Sequence, residues 1–135
     1  MESLRVAAAT DDGRRFMGRH FGDAQFYEVF ELSPSGFTGV CRIMNNVDER
    51  EAHAAPKKAR GIAGILAVQG VQVAAAKVFG PNIKRIQKQF VCVLVSHDEI
   101  HSALHVMVRR FPEILAELDR GEGRGVLDWR RLIVE

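Results

Sequence analysis

The sequence has little of what would announce a function outright. Among its 135 residues there are two cysteines, Cys41 and Cys92. They lie far apart and within apolar runs, so neither a disulfide framework nor a local zinc site is expected. A chain so poor in cysteine has a reduced, cytoplasmic setting as its default. No apolar run approaches the roughly 20 residues of a membrane span. The opening Met1-Glu2-Ser3-Leu4-Arg5 shows no basic segment, apolar segment and cleavage site in series, so a secretory leader is not expected. Charge of one sign is also missing. Nineteen basic and seventeen acidic residues leave a net charge of +2, too balanced to indicate nucleic acid. No internal repeat is visible.

What is present is an ordinary globular composition, 47% hydrophobic and 27% charged, which excludes disorder. The length fits a single domain. A chain of this size buries about 70% of its unfolded surface without a staple. The basic residues are mostly arginine, fourteen against five lysines. Guanidinium forks suit planar or multidentate anions but also cover ordinary surfaces.

Leu4 to Thr10 reads as a strand ending at the turn Asp11-Asp12-Gly13. A loop from Arg14 to Ala24 leads to an aromatic strand, Gln25 to Leu32. Ser33-Pro34-Ser35-Gly36 turns it into a hairpin with Thr38 to Val47, Val40, Arg42 and Met44 on one face and Cys41, Ile43 and Asn45 on the other. A polar connector follows, from Asp48-Glu49-Arg50-Glu51 to Pro56-Lys57-Lys58. Ala59 to Val68 has helical spacing at Ile62, Ile65 and Leu66. Val71 to Phe79 and Phe90 to Val95 are apolar enough for strands buried on both faces. A short helix, Ile83 to Gln89, separates them. Asp98 to Leu118 reads as one long amphipathic helix, with Ser96 or Asp98 as cap, Glu99 completing a capping box and Pro112 as a kink. This order predicts an α/β domain over 1–119. An antiparallel meander and two βαβ crossovers would form a mixed five-stranded sheet with helices packed on it. Residues 120–135 form a Gly/Arg-rich extension. It starts as a linker at Gly121, Gly123 and Gly125, and its apolar end around Trp129 reads as an extra strand or short helix docked on the body or on another subunit.

Several residue groups can carry chemistry. In Gly18-Arg19-His20-Phe21-Gly22-Asp23 one histidine stands between glycines, beside an aromatic. Glycine permits close backbone approach to a ligand, and imidazole ligates iron, copper or zinc. The competing reading is a turn in which Phe21 plugs the core and His20 satisfies a carbonyl. His97, His101 and His105 follow at four-residue spacing, which can clamp a metal. The buried face runs through Ile100, Ala103, Leu104, Met107 and Phe111, so a solvated stripe is expected instead. Cys41 and Cys92 read as inert core cysteines rather than cluster thiolates. Lys57-Lys58 with Arg60, and Lys84-Arg85 with Lys88, read as solvated helix faces.

Thr10-Asp11-Asp12-Gly13, then Arg19-His20-Phe21-Gly22-Asp23-Ala24 and the strand Phe26-Tyr27-Glu28-Val29-Phe30, resemble the dinitrogenase iron–molybdenum cofactor biosynthesis family. Ala74-Ala75-Ala76-Lys77-Val78-Phe79-Gly80-Pro81-Asn82 resembles that family's small-residue strand and Gly-Pro turn. The resemblance covers about residues 4 to 118. It implies a ribonuclease-H-like fold without intrinsic catalysis. It also implies transient binding of an iron–sulfur or iron–molybdenum type cluster, or a precursor, received from a donor protein and passed to an acceptor in cofactor assembly. The implied site is Gly18, His20, Phe21 and Gly22 with the turn Gly80, Pro81 and Asn82, and His20 would be the metal ligand. Asp11-Asp12-Gly13 and the Gly-Pro turn share the carboxyl edge of the sheet, where ligands of open α/β sheets gather. The N–H groups of Asn82 and Ile83 open a helix and favour an anion, and Arg15, Arg19 and Lys77 would balance a negative cluster. Many relatives carry a Gly/His-rich connector, whereas here it holds only His53. Neither nucleic acid nor membrane is an expected partner, and an oligomer contact through the C-terminal segment is open.

Two other classes compete. A metal-dependent nuclease needs converging carboxylates. Asp11 and Asp12 are available, but the later strands contribute no acid. An interaction or regulatory module could retain the fold without the ligand.

Overall fold

The computed structural model describes residues 2–45, 55–81 and 83–131, with side chains omitted for 55–60. Six strands form one mixed sheet in the order β3-β2-β1-β4-β5-β6. They are β1 (Leu4–Thr10), β2 (Phe26–Ser33), β3 (Gly36–Met44), β4 (Val73–Ala76), β5 (Val91–Leu94) and β6 (Val126–Asp128). β1 to β3 are an antiparallel meander. β4 pairs parallel with β1, β5 with β4 and β6 with β5, so β2 alone runs against the other five.

Period-2 alternation builds two cores. Leu4, Val6 and Ala8 of β1 face one side with Val73, Ala75, Val91 and Val93. There α3 (Ile100–Arg109) and α4 (Phe111–Asp119) cover them through Ile100, Leu104, Met107, Phe111 and Ile114. Ala7 and Ala9 face the other side with Ala74, Ala76 and Cys92. There α1 (Ala55–Val68) and α2 (Ile83–Ile86) cover them through Ile62, Leu66 and Ile86. Because both faces are covered, β4 and β5 carry almost no polar side chains.

The structure corrects several expectations. The sheet has six strands, because the C-terminal segment adds β6 beside β5. Residues 121–131 are tied down: Arg124 is 7% exposed and donates to Gln87 O, Lys88 O and Leu118 O. Trp129 N donates to Leu94 O at 2.9 Å, and its indole is buried. The long helix is two helices broken at Arg110, whose N–H closes α3 onto Val106 O. Pro112 sits in the first turn of α4, where its missing N–H costs nothing. The capping box does not form: Glu99 is the N-cap of α3 and makes no side-chain cap bond. In α1, Ile65 is half-exposed and does not share the burial of Ile62 and Leu66. Val29 pairs with Cys41 and Phe30 with Gly39, leaving Val40 as a bulge that interrupts the expected alternation. Cys41 is exposed on this edge strand, not buried.

Candidate functional site

The first half of the site is the loop from β1 to β2. Thr10, fully buried at its base, donates to Arg15 O at 2.6 Å and accepts Gly13 N at 3.0 Å. Asp12 Oδ1 accepts the N–H groups of Arg14 and Arg15, both at 2.8 Å. Those two bonds, Arg15 first, hold the Asp12 carboxyl below its usual range. Asp11 takes a two-pronged ion pair from Arg19, with Nη1 at 2.8 Å and Nη2 at 2.9 Å, and also accepts Gln25 N at 3.0 Å. Chiefly through Arg19, its carboxyl is likewise lowered. Asp11 and Asp12 therefore shape the loop, and Arg19 fixes it a second time through Asp23 O.

His20 opens the short turn Phe21–Asp23. Phe21 plugs the core with 1% exposure, its ring 5.3 Å from Phe79 and 5.0 Å from Tyr27 between centroids. Tyr27 donates its hydroxyl to Phe21 O at 2.7 Å, and Asn45 Nδ2 donates to Gly22 O and Ala24 O. The turn is thus clamped from beneath while His20 stays exposed above it.

The second half is the segment after β4. Phe79 is buried against Phe21, and Gly80 follows in the left-handed region at φ 81°. The imidazole of His20 lies directly over Gly80. A Cβ there would stand 2.6 Å from His20 Cγ and Nδ1, so the imidazole would have to shift. Glycine is favoured at position 80 on both counts, backbone and contact. The two loops leave adjacent parallel strands whose connections run in opposite directions, the switch point where open α/β sheets place ligands. Among the described residues, the His20 imidazole has no hydrogen-bond partner. Among those residues, no backbone carbonyl is satisfied by it.

The remaining expected residues distribute unevenly. Gly18 is exposed with open space around it, and Pro81 is exposed beside Gly80. Asn82 lies outside the described residues, as do His53, the connector 46–54 and the side chains of Lys57, Lys58 and Arg60. Ile83 N donates to Gly80 O, and α2 is a single turn, so the expected anion corner is not offered by that N–H. Nor are the three cations free: Arg15 faces Asp12, Arg19 faces Asp11 and Lys77 faces Asp98. His101 and His105 pack against Phe37 of β3, with centroids at 5.4 and 5.1 Å. Among the described residues, no three His, Cys, Asp or Glu side chains converge as metal ligands. Cys92 is fully buried, and burial pushes its thiol up to about 12. Sequence reasoning missed Tyr27, Asn45 and Asp98 as builders of this edge. Asn45, a polar residue at the end of a strand facing the loop, was the available signal.

Comparison with known proteins decides the family. Residues 2–109 match the family described as dinitrogenase iron-molybdenum cofactor. The chain belongs to that family. The match includes both halves of the site and stops at the end of α3, so α4 and β6 lie beyond it. Among solved structures, a protein from Methanocaldococcus jannaschii, provisionally described as a dinitrogenase, is similar with a TM-score of 0.56 at 15% identity. The similarity covers 82% of this chain and 92% of that one. At that identity it supports the α/β fold alone. No curated protein matches the chain by sequence. Among the described residues, no helix is long and apolar enough to cross a membrane.

Proposed function

We propose that this member of the dinitrogenase iron–molybdenum cofactor family is a small carrier. It binds an iron–sulfur or iron–molybdenum type cluster, or a precursor, and passes it from a donor to an acceptor protein during cofactor assembly. The observation that carries this reading is the exposed imidazole of His20 over Gly80 at the sheet's switch point. Family membership supplies the class of cargo. A His20 nitrogen would ligate the metal, the clamp of Phe21, Tyr27 and Asn45 would hold the ring's backbone still, and Gly18, with open space around it, would leave room for an inorganic core. One imidazole gives weak ligation, which suits a protein that must release what it binds. Strands β1 to β5, with β2 alone reversed, fit the ribonuclease-H-like sheet that the resemblance implies. Nuclease action has less support, since Asp11 and Asp12 are spent on Arg19 and on backbone N–H groups.

Anaerobic titration with a synthetic iron–sulfur cluster or extracted iron–molybdenum cofactor tests the proposal. The visible spectrum of the cluster should change with wild type and with His101→Ala, but not with His20→Ala. An unchanged spectrum with wild type would overturn the carrier reading.

A further inference from the structure

Three cations at the site edge each face a carboxylate: Arg19 with Asp11, Arg15 with Asp12, Lys77 with Asp98. An anionic cargo that engages these three cations therefore meets charges already paired. The three carboxylates are not equally fixed. Asp11 also accepts Gln25 N, and Asp12 accepts two backbone N–H groups. Among the described residues, the Asp98 side chain has Lys77 as its only hydrogen-bond partner, at 2.5 Å, and it is 74% exposed. It stands at a bend just before α3 and does not cap that helix. Its backbone is independently anchored, because Phe16 N donates to Asp98 O at 2.8 Å. The carboxylate can thus swing away without disturbing the chain. Lys77, by contrast, is 30% exposed and leaves β4 three residues before Gly80, on the segment that carries the contact with His20.

From this geometry we infer that Asp98 is a resident counter-ion. It neutralises Lys77 while the site is empty and is displaced from Lys77 by an anionic metal–sulfur cargo, which makes binding weaker and release easier than Lys77 alone would allow. This rests on the carrier reading above and assigns it a release element. No bond forms or breaks: one ion pair is exchanged for another. An exposed pair is worth little, so the exchange sets the affinity within a modest range and does not block entry.

The test is anaerobic equilibrium dialysis against tetrathiomolybdate, with bound molybdenum measured for wild type, Asp98→Asn, Lys77→Met, the double variant and His20→Ala. Thermal melts verify that each is folded. Asp98→Asn should bind about three- to fivefold more tightly than wild type. In the Lys77→Met background the same change should have no effect, since additivity fails only for interacting groups. Equal affinity of wild type and Asp98→Asn overturns the inference while leaving the carrier reading intact. Tightening that persists without Lys77 also overturns it, because the effect would then be one of net charge. Binding by neither wild type nor Asp98→Asn overturns the inference together with the carrier reading. Asp98→Glu, which keeps the carboxylate, should remain close to wild type; tightening there would contradict the inference.

Discussion

Gly80 is the residue on which the two halves of the site meet. At φ 81° an alanine costs about 1–2 kcal/mol, and its methyl would displace the His20 ring. Gly80→Ala should therefore lower stability by about that amount in chemical denaturation. It should also weaken cluster binding nearly as much as His20→Ala does, although the imidazole is still present. Stability loss with unchanged binding would show that the contact is incidental. His20 stood out as a candidate ligand from its setting between Gly18 and Gly22 beside Phe21. Its partner was only half legible. A Gly-Pro turn marks a chain reversal, but nothing local says that another loop's imidazole will lie on that glycine. The cations were misread for a related reason. Arg15, Arg19 and Lys77 look available in a sequence, whereas their neutralisation depends on Asp12, Asp11 and Asp98 arriving from turns whose geometry is set by packing.

At the scale of elements, the strands were largely legible because hydrophobic patterning at period 2 and fully apolar runs leave few alternatives. The helices and the C-terminal segment were less so. Arg124 explains why 121–131 is ordered structure instead of a linker: a buried guanidinium closes carbonyls from the end of α4 and from the segment after α2. A sequence cannot show that three carbonyls converge on one arginine. Arg124→Met would leave those carbonyls without their donor, and such losses cost about 1–3 kcal/mol each when buried, though not additively. The expected outcome is a drop of about 2–4 kcal/mol in denaturant unfolding, with faster amide exchange in β6. Cluster binding should be unchanged, since Arg124 precedes β6 and lies at the edge opposite the His20 loop. Loss of binding in a folded Arg124→Met protein would contradict that separation. The break between α3 and α4 has a simpler origin. Pro112 has no N–H to donate one turn back, and its ring excludes a carbonyl there, so the amphipathic pattern continues through a helix boundary.

For the whole molecule, the near-zero net charge proves to be a statement about pairing. Three cations at the carboxyl edge, Arg15, Arg19 and Lys77, are matched to acids, so an anion can engage those three only by exchange. Cysteine poverty acquires a physical meaning as well. Cys92 is sealed in the core and Cys41 sits on the outer strand, which leaves, among the described residues, the exposed His20 imidazole as the donor at the switch point. A single imidazole on a clamped turn, surrounded by glycine, is the arrangement expected of a temporary holder. Pulsed electron paramagnetic resonance of the cluster-loaded protein tests that claim most directly. The account predicts hyperfine coupling from one histidine nitrogen, present in wild type and in His101→Ala and absent in His20→Ala. Coupling that survives in His20→Ala, or a loaded wild-type protein with no histidine nitrogen coupled to its cluster, would contradict it.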